Sequence, residues 1–274
     1  MKKITLCIII FVNLILAFSV QALEIKDFTE SEYAFGVDEP TNLKMAPSAL
    51  DGKRAEFYNF INFKPGKKKQ LVTYLDTPDR LLYQKSLIIR VREDIKKPGK
   101  SKLTVKIRAA SPEGFGDLKN YKKAEIDIVN GKKKYSVSYD IKYNPNDIDI
   151  RHVDIQVVFQ RIEEKSPDAW ALVEPFAKNH MIQIQQTIVM CALSWEGIIT
   201  KVPGRVEADL AIWSPYYKQP KMFITQLSFK GKTGDFNLEK VSKRIQDALK
   251  AKNLLSETIG SKTKATFKMS PNFN

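Results

Sequence analysis

Alternating hydrophobic and polar residues dominate the chain after its apolar beginning. The alternating runs are short, rich in β-branched and aromatic residues, and bounded by turn-forming residues, which is typical of β-strands. The clearest runs lie at residues 29–37, 70–75, 86–92, 102–108, 123–129, 182–195, 205–212 and 222–230. The pattern predicts a mainly β fold.

Helical periodicity is clearest at residues 238–255, where apolar side chains recur on one face and Asn237 is a candidate N-cap. Ser166 followed by Pro167 predicts the start of a second helix, which would run through residue 176. A third helix is expected between residues 47 and 61, whereas residues 153–161 fit either a strand or a helix. The expected class is therefore α+β, with a few helices covering a sheet.

Within the predicted strands, charged residues of like sign occur two positions apart. Side chains two apart point to the same face of a strand, so each strand presents a like-charged pair on one face and apolar residues on the other. The pairs are Glu30 with Glu32, Arg90 with Arg92, Lys106 with Arg108, Glu125 with Asp127, and Glu207 with Asp209.

Two arrangements account for these pairs. In the first, every charged face is solvated and the sheet packs its apolar face on a core; spacing alone favours this arrangement, because exposed charged faces are common. In the second, the sheet closes into a barrel with the charged faces inside and helices covering its apolar outside. Such an interior would bind a metal–polyphosphate complex, since carboxylates ligate divalent cations while Arg and Lys bind phosphate oxygens.

The order of the motifs adds a family resemblance. The turn Tyr-Leu-Asp-Thr-Pro-Asp at residues 74–79 is followed by Leu82 and by a strand that carries Arg90 and Arg92. With Glu-x-Glu before it and the other charged pairs after it, this order resembles the CYTH family, the triphosphate tunnel metalloenzymes. The resemblance spans about residues 30–255, and its most specific part is residues 74–92.

The resemblance implies a closed or nearly closed tunnel of eight antiparallel strands. Family members hydrolyse inorganic triphosphate, thiamine triphosphate or RNA 5′-triphosphates, and others cyclise ATP. By matching position, the implied phosphate-binding residues are Arg90, Arg92, Lys106, Arg108 and Lys230. A further implied acidic pair is Glu125 with Asp127, and the implied ligands of Mg²⁺ or Mn²⁺ are Glu30, Glu32, Glu207 and Asp209.

This sequence departs from the family pattern at three places. Ala34 stands where the first motif has Lys, while Gln226 and Ser228 stand where a late strand has Glu-x-Glu. The strand at residues 187–195 lacks the expected Arg or Lys. Because the family chemistry needs carboxylates to hold its metal ions, these losses predict a degenerate metal site, with binding retained and triphosphatase activity weak or lost. The alternative is an active metal-dependent triphosphate hydrolase, since the other acidic pairs remain.

The charge balance agrees with an anionic partner, for which inorganic triphosphate or polyphosphate is expected. Lys and Arg number 45 against 31 acidic residues, a formal net charge of +14. Lysine runs at residues 67–69, 96–97 and 132–134 are expected at loop tips. They alone support a second alternative, a surface binder of nucleic acid or acidic glycolipid. The sequence has no P-loop, no Gly-x-Ser-x-Gly and no catalytic Cys–His pairing.

The first 22 residues predict a secretory signal peptide. Lys2 and Lys3 precede an apolar stretch at residues 4–18, and Ala22 ends a small-x-small cleavage pattern. Cleavage would leave residues 23–274 as a single tunnel domain, exported to a periplasm or secreted, with no later segment apolar enough to span a membrane. Cys7 would leave with the leader, so Cys191 is expected to be a buried, inert thiol.

Overall fold

The computed structural model describes residues 23–37, 61–199, 206–217, 224–256 and 261–273. Within these ranges the chain forms eleven β-strands and five α-helices. The strands are β1 (Glu30–Val37), β2 (Ile61–Phe63), β3 (Lys68–Asp76), β4 (Leu87–Asp94), β5 (Lys102–Ala109), β6 (Lys123–Val129), β7 (Lys132–Lys142), β8 (Gln185–Gln186), β9 (Met190–Ile199), β10 (Glu207–Pro215) and β11 (Ile224–Lys232). The helices are α1 (Leu81–Gln84), α2 (Ile155–Lys165), α3 (Pro167–His180), α4 (Phe236–Ala251) and α5 (Lys262–Met269).

Nine of the described strands close into a barrel in the order β9-β10-β11-β1-β6-β7-β5-β4-β3, because β3 pairs with β9 as well as with β4. Outside this ring, β2 pairs with β9 and β8 pairs with β3. The predicted barrel with covering helices is confirmed, but the prediction of eight strands was wrong. The strand that was missed is β7, whose three initial lysines resemble a solvated hairpin tip in the sequence.

The prediction that all strands are antiparallel was also wrong. β1 runs parallel to β6, with Glu30 opposite Glu125 and Glu32 opposite Asp127. Parallel neighbours need a long crossover connection, and the chain between Val37 and Lys123 provides it. β1 also pairs antiparallel with β11, so it joins the first and last parts of the barrel.

Alternation along the strands separates an outer apolar face from an inner polar face. Outward side chains such as Val105 and Val137 belong to one core cluster with Phe159 and Ile162 of α2, all of them almost completely buried. A second cluster holds α4 against outward residues of β1, β10 and β11. Each such buried side chain contributes about 1.5–3 kcal/mol relative to exposure, so packing on the outer face turns the polar face inward.

The predicted helices are present, with corrections at their ends. α4 begins after Asp235, whose carboxylate accepts the N–H of Asn237 (2.8 Å), so the predicted cap at Asn237 was wrong. It ends at Ala251, before the predicted residue 255, whereas α3 begins at Pro167 as predicted and continues past residue 176. The ambiguous segment 153–161 lies mostly in α2.

Two of the predicted segments lie wholly or largely where the structure is not described. The predicted leader at residues 1–22 and residues 47–60 of the third predicted helix lie outside the described residues, while Ile61 begins β2. The strand predicted at 182–195 is divided into β8 and β9. Cys191, on the outer face of β9, is partly rather than fully buried, and burial raises its pKa. Among the described residues, every helix is too short or too polar to cross a membrane.

Candidate functional site

Strand register places the charged pairs on the inner face of the barrel. Arg90 lies opposite Thr104 and Arg92 opposite Lys102 on the neighbouring strands β4 and β5. The same face continues through the other predicted site residues: Lys106 and Arg108 on β5, Glu125 and Asp127 on β6, Glu30 and Glu32 on β1, Lys230 on β11, and Glu207 and Asp209 on β10. The charged faces therefore line an interior, unlike those of a plain sheet, although Glu207 is exposed to solvent.

The barrel interior has an apolar half and a charged half. In the apolar half, the inward residues Val72, Tyr74, Met190 and Trp213 form a buried cluster with Phe267 of α5. The ring centroids of Tyr74 and Phe267 are 6.0 Å apart. Polar ligands are thus confined to the charged half, which contains the predicted site residues.

On one side of the charged half, basic and acidic side chains neutralise one another. This set, here called the paired wall, consists of Glu30, Lys106, Arg108, Glu125, Asp127 and Lys230. Lys106 Nζ lies 2.9 Å from Asp127 Oδ2, and Arg108 Nε lies 3.5 Å from the same oxygen. Lys230 Nζ contacts Glu125 and lies 2.9 Å from Glu30 Oε2.

These ion pairs change the pKa values of the groups that form them. Burial alone would raise the pKa of Glu125, but attraction to Lys106 and Lys230 outweighs burial and lowers that pKa to about 2. Burial likewise opposes the charged form of Lys230, but Glu125 and Glu30 overcome it and raise the Lys230 pKa. The predicted phosphate-binding residues Lys106 and Lys230 therefore already have counter-charges, and Glu30 is held by a lysine.

The two arginines of β4, here called the arginine pair, have no carboxylate partner among the described residues. Arg90 Nη2 donates to Thr104 Oγ1 (3.3 Å), and the Nε atoms of Arg90 and Arg92 are shielded from solvent without a hydrogen-bond partner. The carboxylate of Asp140 is taken by Thr104 (2.7 Å) and Lys102. Burial, followed by repulsion from Arg90, lowers the pKa of Arg92 to about 10, so Arg92 remains charged at neutral pH.

A third set of side chains, here called the acidic wall, consists of Glu32, Glu196, Glu207 and Asp209. They line a cavity of about 360 Å³. Asp209 lies opposite Glu196 in the strand register, and its Oδ1 is shielded from solvent without a hydrogen-bond partner. Burial raises the pKa of Asp209 to about 6; Glu32 and Glu196 add to the shift, and Lys262 opposes it.

Three of the four predicted metal ligands share one cavity, and the fourth, Glu30, lies outside it. Glu30 belongs to the paired wall, while Glu32, Glu207 and Asp209 belong to the acidic wall. In the part of the chain that the structure describes, no group of three or more Asp, Glu, His or Cys side chains has an arrangement that could hold a metal ion. The side chains as arranged therefore do not fit Mg²⁺ or Mn²⁺, and the metal-ligand roles stay predictions.

The residues of β1 and β11 that depart from the family pattern lie side by side on the inner face. Ala34 of β1 is opposite Ser228 of β11, and Ser228 is in turn opposite Asp209 of β10. Gln226 is the next inward residue of β11, and Ala34, Gln226 and Ser228 are all nearly fully buried. The charges that this chain lacks would therefore have lain together, next to the acidic wall.

Several charged residues of the interior were not predicted from the sequence. Glu196 lies one position beyond the predicted strand 182–195, and it pairs with Lys68, which precedes the predicted strand 70–75. Asp140 continues an inward series with Ser136 and Ser138 on β7. The alternation of these small polar residues with buried Tyr and Val residues was a usable signal for a strand.

The turn that carries the family resemblance has a structural role. The Asp76 carboxylate accepts the N–H groups of Thr77 (2.8 Å), Leu82 (2.8 Å) and Tyr83 (2.9 Å). These bonds fix α1 between β3 and β4, although burial raises the pKa of Asp76. The motif therefore sets the start of β4, and with it the position of Arg90.

No family model and no curated protein matches the chain. A Hippeastrum protein described as a candidate adenylyl cyclase with a dominant triphosphatase activity is similar in structure, with 10% identity over 89% of this chain and 99% of that chain and a TM-score of 0.47. A candidate adenylate cyclase from Bacillus halodurans is 13% identical over 87% of this chain and 97% of that chain, with a TM-score of 0.45. A third, from Vibrio parahaemolyticus, is 10% identical over 88% and 98%, with a TM-score of 0.38. Likenesses at this level of identity and TM-score carry no conclusion about the family or the chemistry of this chain.

Proposed function

We propose that this CYTH-like protein is exported, binds a triphosphate or polyphosphate anion in the charged half of its barrel, and hydrolyses that anion weakly or not at all. The observation that carries the proposal is the arginine pair. Its two guanidinium groups are partly buried and have no carboxylate partner among the described residues. Every cation of the paired wall, by contrast, already has one.

An unpaired cation in a protein interior is costly unless a counter-charge arrives. A phosphate chain supplies that charge, and a planar guanidinium can donate two parallel N–H groups to phosphate oxygens. The partnerless Nε atoms of Arg90 and Arg92 are donors of this kind. Binding would also relieve the repulsion between the two arginines, which contributes to the lowered pKa of Arg92.

The proposal of weak or absent turnover rests on the surroundings of the acidic wall. Metal-assisted phosphoryl transfer needs carboxylates that hold a cation and activate water. Neutral Gln226 and Ser228 lie beside Asp209, and Glu30 is engaged by Lys230.

An active metal-dependent triphosphatase is the alternative function. Glu32, Glu207 and Asp209 favour it, because they line one cavity of about 360 Å³. Under this alternative the wild-type protein releases phosphate from tripolyphosphate with Mg²⁺ or Mn²⁺. Glu32→Gln would then abolish the rate while leaving the fold unchanged.

Calorimetric titration with tripolyphosphate tests the binding proposal. The wild-type protein is compared with the double variant Arg90→Gln, Arg92→Gln and with the control Arg161→Gln. Arg161 lies on α2 and pairs with Asp147 (2.6 Å), so its loss removes a guanidinium outside the barrel. We expect the double variant to lose roughly 100-fold in affinity and the control to bind like wild type. Undiminished binding by the double variant would refute the proposed site.

Export is tested separately by determining the amino terminus of the chain recovered after secretion. The proposal expects Leu23 as the first residue, which follows the predicted cleavage site at Ala22. An intact amino terminus in the cell would contradict export without bearing on the anion site.

A further inference from the structure

The charged half of the barrel opens into a large basic cavity. The cavity has a volume of about 750 Å³, and nine basic residues and three acidic residues line it. It extends from Arg92 and Asp209 inside the barrel to the loop before β3 and the loop between β4 and β5. A ligand held at Arg92 can therefore continue outward over these loops within one cavity.

Hydrogen bonds hold both loops in place at the opening. The Asp94 carboxylate accepts the N–H groups of Lys96 (3.1 Å) and Lys97 (2.9 Å), which fixes the loop between β4 and β5. In the loop before β3, the N–H of Lys64 donates to the carbonyl of Glu196 (2.7 Å). Gly66 has a φ of +84°, a conformation that suits glycine in this turn. Two lysine runs that are distant in sequence are thus brought to one opening.

Most of the lysines at this opening lack counter-charges. We call the following set the lysine rim: Lys67, Lys96, Lys97, Lys100 and Lys142. None of the five has a carboxylate within salt-bridge distance among the described residues, whereas Lys68 pairs with Glu196 and Lys102 with Asp140. The rim therefore adds an uncompensated positive surface that lines the same cavity as Arg92 of the arginine pair.

At the opposite end of the interior, the described inward side chains are mostly apolar, and Lys262 Nζ lies 5.5 Å from the ring centroid of Trp213. There the inward side chains of β3, β9 and β10 pack with Phe267 and Phe273 of the carboxy-terminal segment. Polar groups buried among apolar side chains without partners are strongly unfavourable. A polyanion can therefore enter the charged half through the lysine rim and not through the apolar half.

We propose, building on the proposed function, that the site takes a linear polyphosphate longer than triphosphate and binds it end-on. The terminal phosphates lie at Arg90 and Arg92, and the rest of the chain leaves the barrel over the lysine rim. A triphosphate fills the inner part only, so each further phosphate adds contacts with the rim. Single-stranded nucleic acid fits less well, because none of the described residues that line the cavity has an aromatic side chain on which bases could stack.

The test measures the affinity of the full mature chain for tripolyphosphate and for a longer linear polyphosphate at one fixed salt concentration. We expect the longer chain to bind at least roughly tenfold more tightly, because phosphate neutralisation by additional lysines accumulates. The double variant Lys67→Gln, Lys97→Gln should lose most of that gain while its tripolyphosphate affinity stays within about twofold of wild type. The matched control Lys243→Gln, Lys250→Gln removes two exposed lysines of α4 and should change neither affinity.

Several outcomes would overturn this inference. If tripolyphosphate binds but chain length brings no gain, end-on binding of longer chains is wrong while the proposed function stands. If the wild type does not bind tripolyphosphate, the proposed function fails first. Long-chain binding that survives loss of both arginines would mean attachment to the rim alone. A single-stranded oligonucleotide that binds as tightly as the long polyphosphate at the same salt concentration would show that the rim recognises nucleic acid.

Discussion

Two basic pairs with the same sequence pattern have opposite surroundings in this barrel. Lys106 and Arg108 on β5 contact Asp127 of β6, which is separated from β5 by β7 alone, and are neutralised. Arg90 and Arg92 lie on the neighbouring strand β4, and no described carboxylate faces them within salt-bridge distance. The spacing of two basic residues on a strand therefore predicts which face they share. Whether they can bind a ligand depends on whether carboxylates of other strands already pair with them.

The largest expected effect comes from placing charged residues at positions 34, 226 and 228, which are uncharged in this chain and lie beside the acidic wall. The triple variant Ala34→Lys, Gln226→Glu, Ser228→Glu should gain Mg²⁺-dependent phosphate release from tripolyphosphate, on the order of 10²-fold above wild type. The release of inorganic phosphate provides the measurement, and far-ultraviolet circular dichroism verifies that the variant is folded. The same triple variant with Glu32→Gln is the control and should lose the gain. A folded triple variant with no added rate would argue that these positions do not limit catalysis.

Breaking the paired wall should damage the fold itself. Lys106→Met removes the cation beside Asp127 and leaves a largely buried carboxylate uncompensated, so we expect a loss of about 2–4 kcal/mol in the free energy of unfolding. Urea denaturation measures it. The control Lys119→Met removes an exposed lysine paired with Asp117 and should change stability by less than about 0.5 kcal/mol. Equal losses of stability from the two substitutions would mean that the buried ion pairs of the paired wall contribute no more than an exposed pair does.

The pH dependence of stability should differ between Asp209, whose pKa is raised, and Glu125, whose pKa is lowered. Asp209 has a folded pKa of about 6 against an ordinary value of 3.8, so the folded state binds its proton more tightly than the unfolded state. Its contribution to stability therefore falls as pH rises from about 4 to 6, by about 1–3 kcal/mol. Asp209→Asn should remove that fall.

Glu125 has the reverse behaviour. Its folded pKa of about 2 lies below the ordinary 4.5, so the stability that it contributes is present above about pH 4.5 and is lost as pH falls towards 2. Urea titrations of wild type, Asp209→Asn and Glu125→Gln between pH 3 and 7 separate the two effects. An unchanged slope between pH 4 and 6 in Asp209→Asn would contradict the assignment to Asp209.

The smallest expected effect sharpens the comparison of the two basic pairs. Arg92→Met removes a cation without a carboxylate partner, so the unliganded protein should unfold with an unchanged or slightly higher free energy, by up to about 1 kcal/mol. Thermal or urea unfolding without phosphate in the buffer measures the change. Destabilisation of the size expected for Lys106→Met would instead indicate that Arg92 is structurally paired.

Much of the fold was predictable because it depends on alternation, which is local. Arg90 and Arg92 could be placed on one face of a strand from their spacing, and the order of motifs indicated a closed barrel. The exception was β7, where Lys132, Lys133 and Lys134 masked the start of a strand whose later residues alternate clearly. The parallel pairing of β1 with β6 depends on a crossover, and no local pattern encodes it.

The sequence predicted which residues belong to the site but not which of them contact one another. The sequence places Lys106 and Asp127 on inward faces, but their 2.9 Å contact depends on the register between strands that are not neighbours in sequence. Glu196 lies within β9 but one residue beyond the predicted end of that strand, and strand ends are least certain from pattern. The neutralised pair and the unpaired pair therefore looked alike until the strands were in place.

The central claim is that the arginine pair binds the phosphates of a polyphosphate. It is tested most directly by the thermal stability of the mature protein with and without tripolyphosphate. A ligand that binds only the native state stabilises it by about 2.7 kcal/mol at 100 times its dissociation constant. We predict a clear rise in melting temperature that shrinks with added salt, and a much smaller rise in the double variant Arg90→Gln, Arg92→Gln. No shift of the wild-type melting temperature at millimolar tripolyphosphate and low salt would contradict the account.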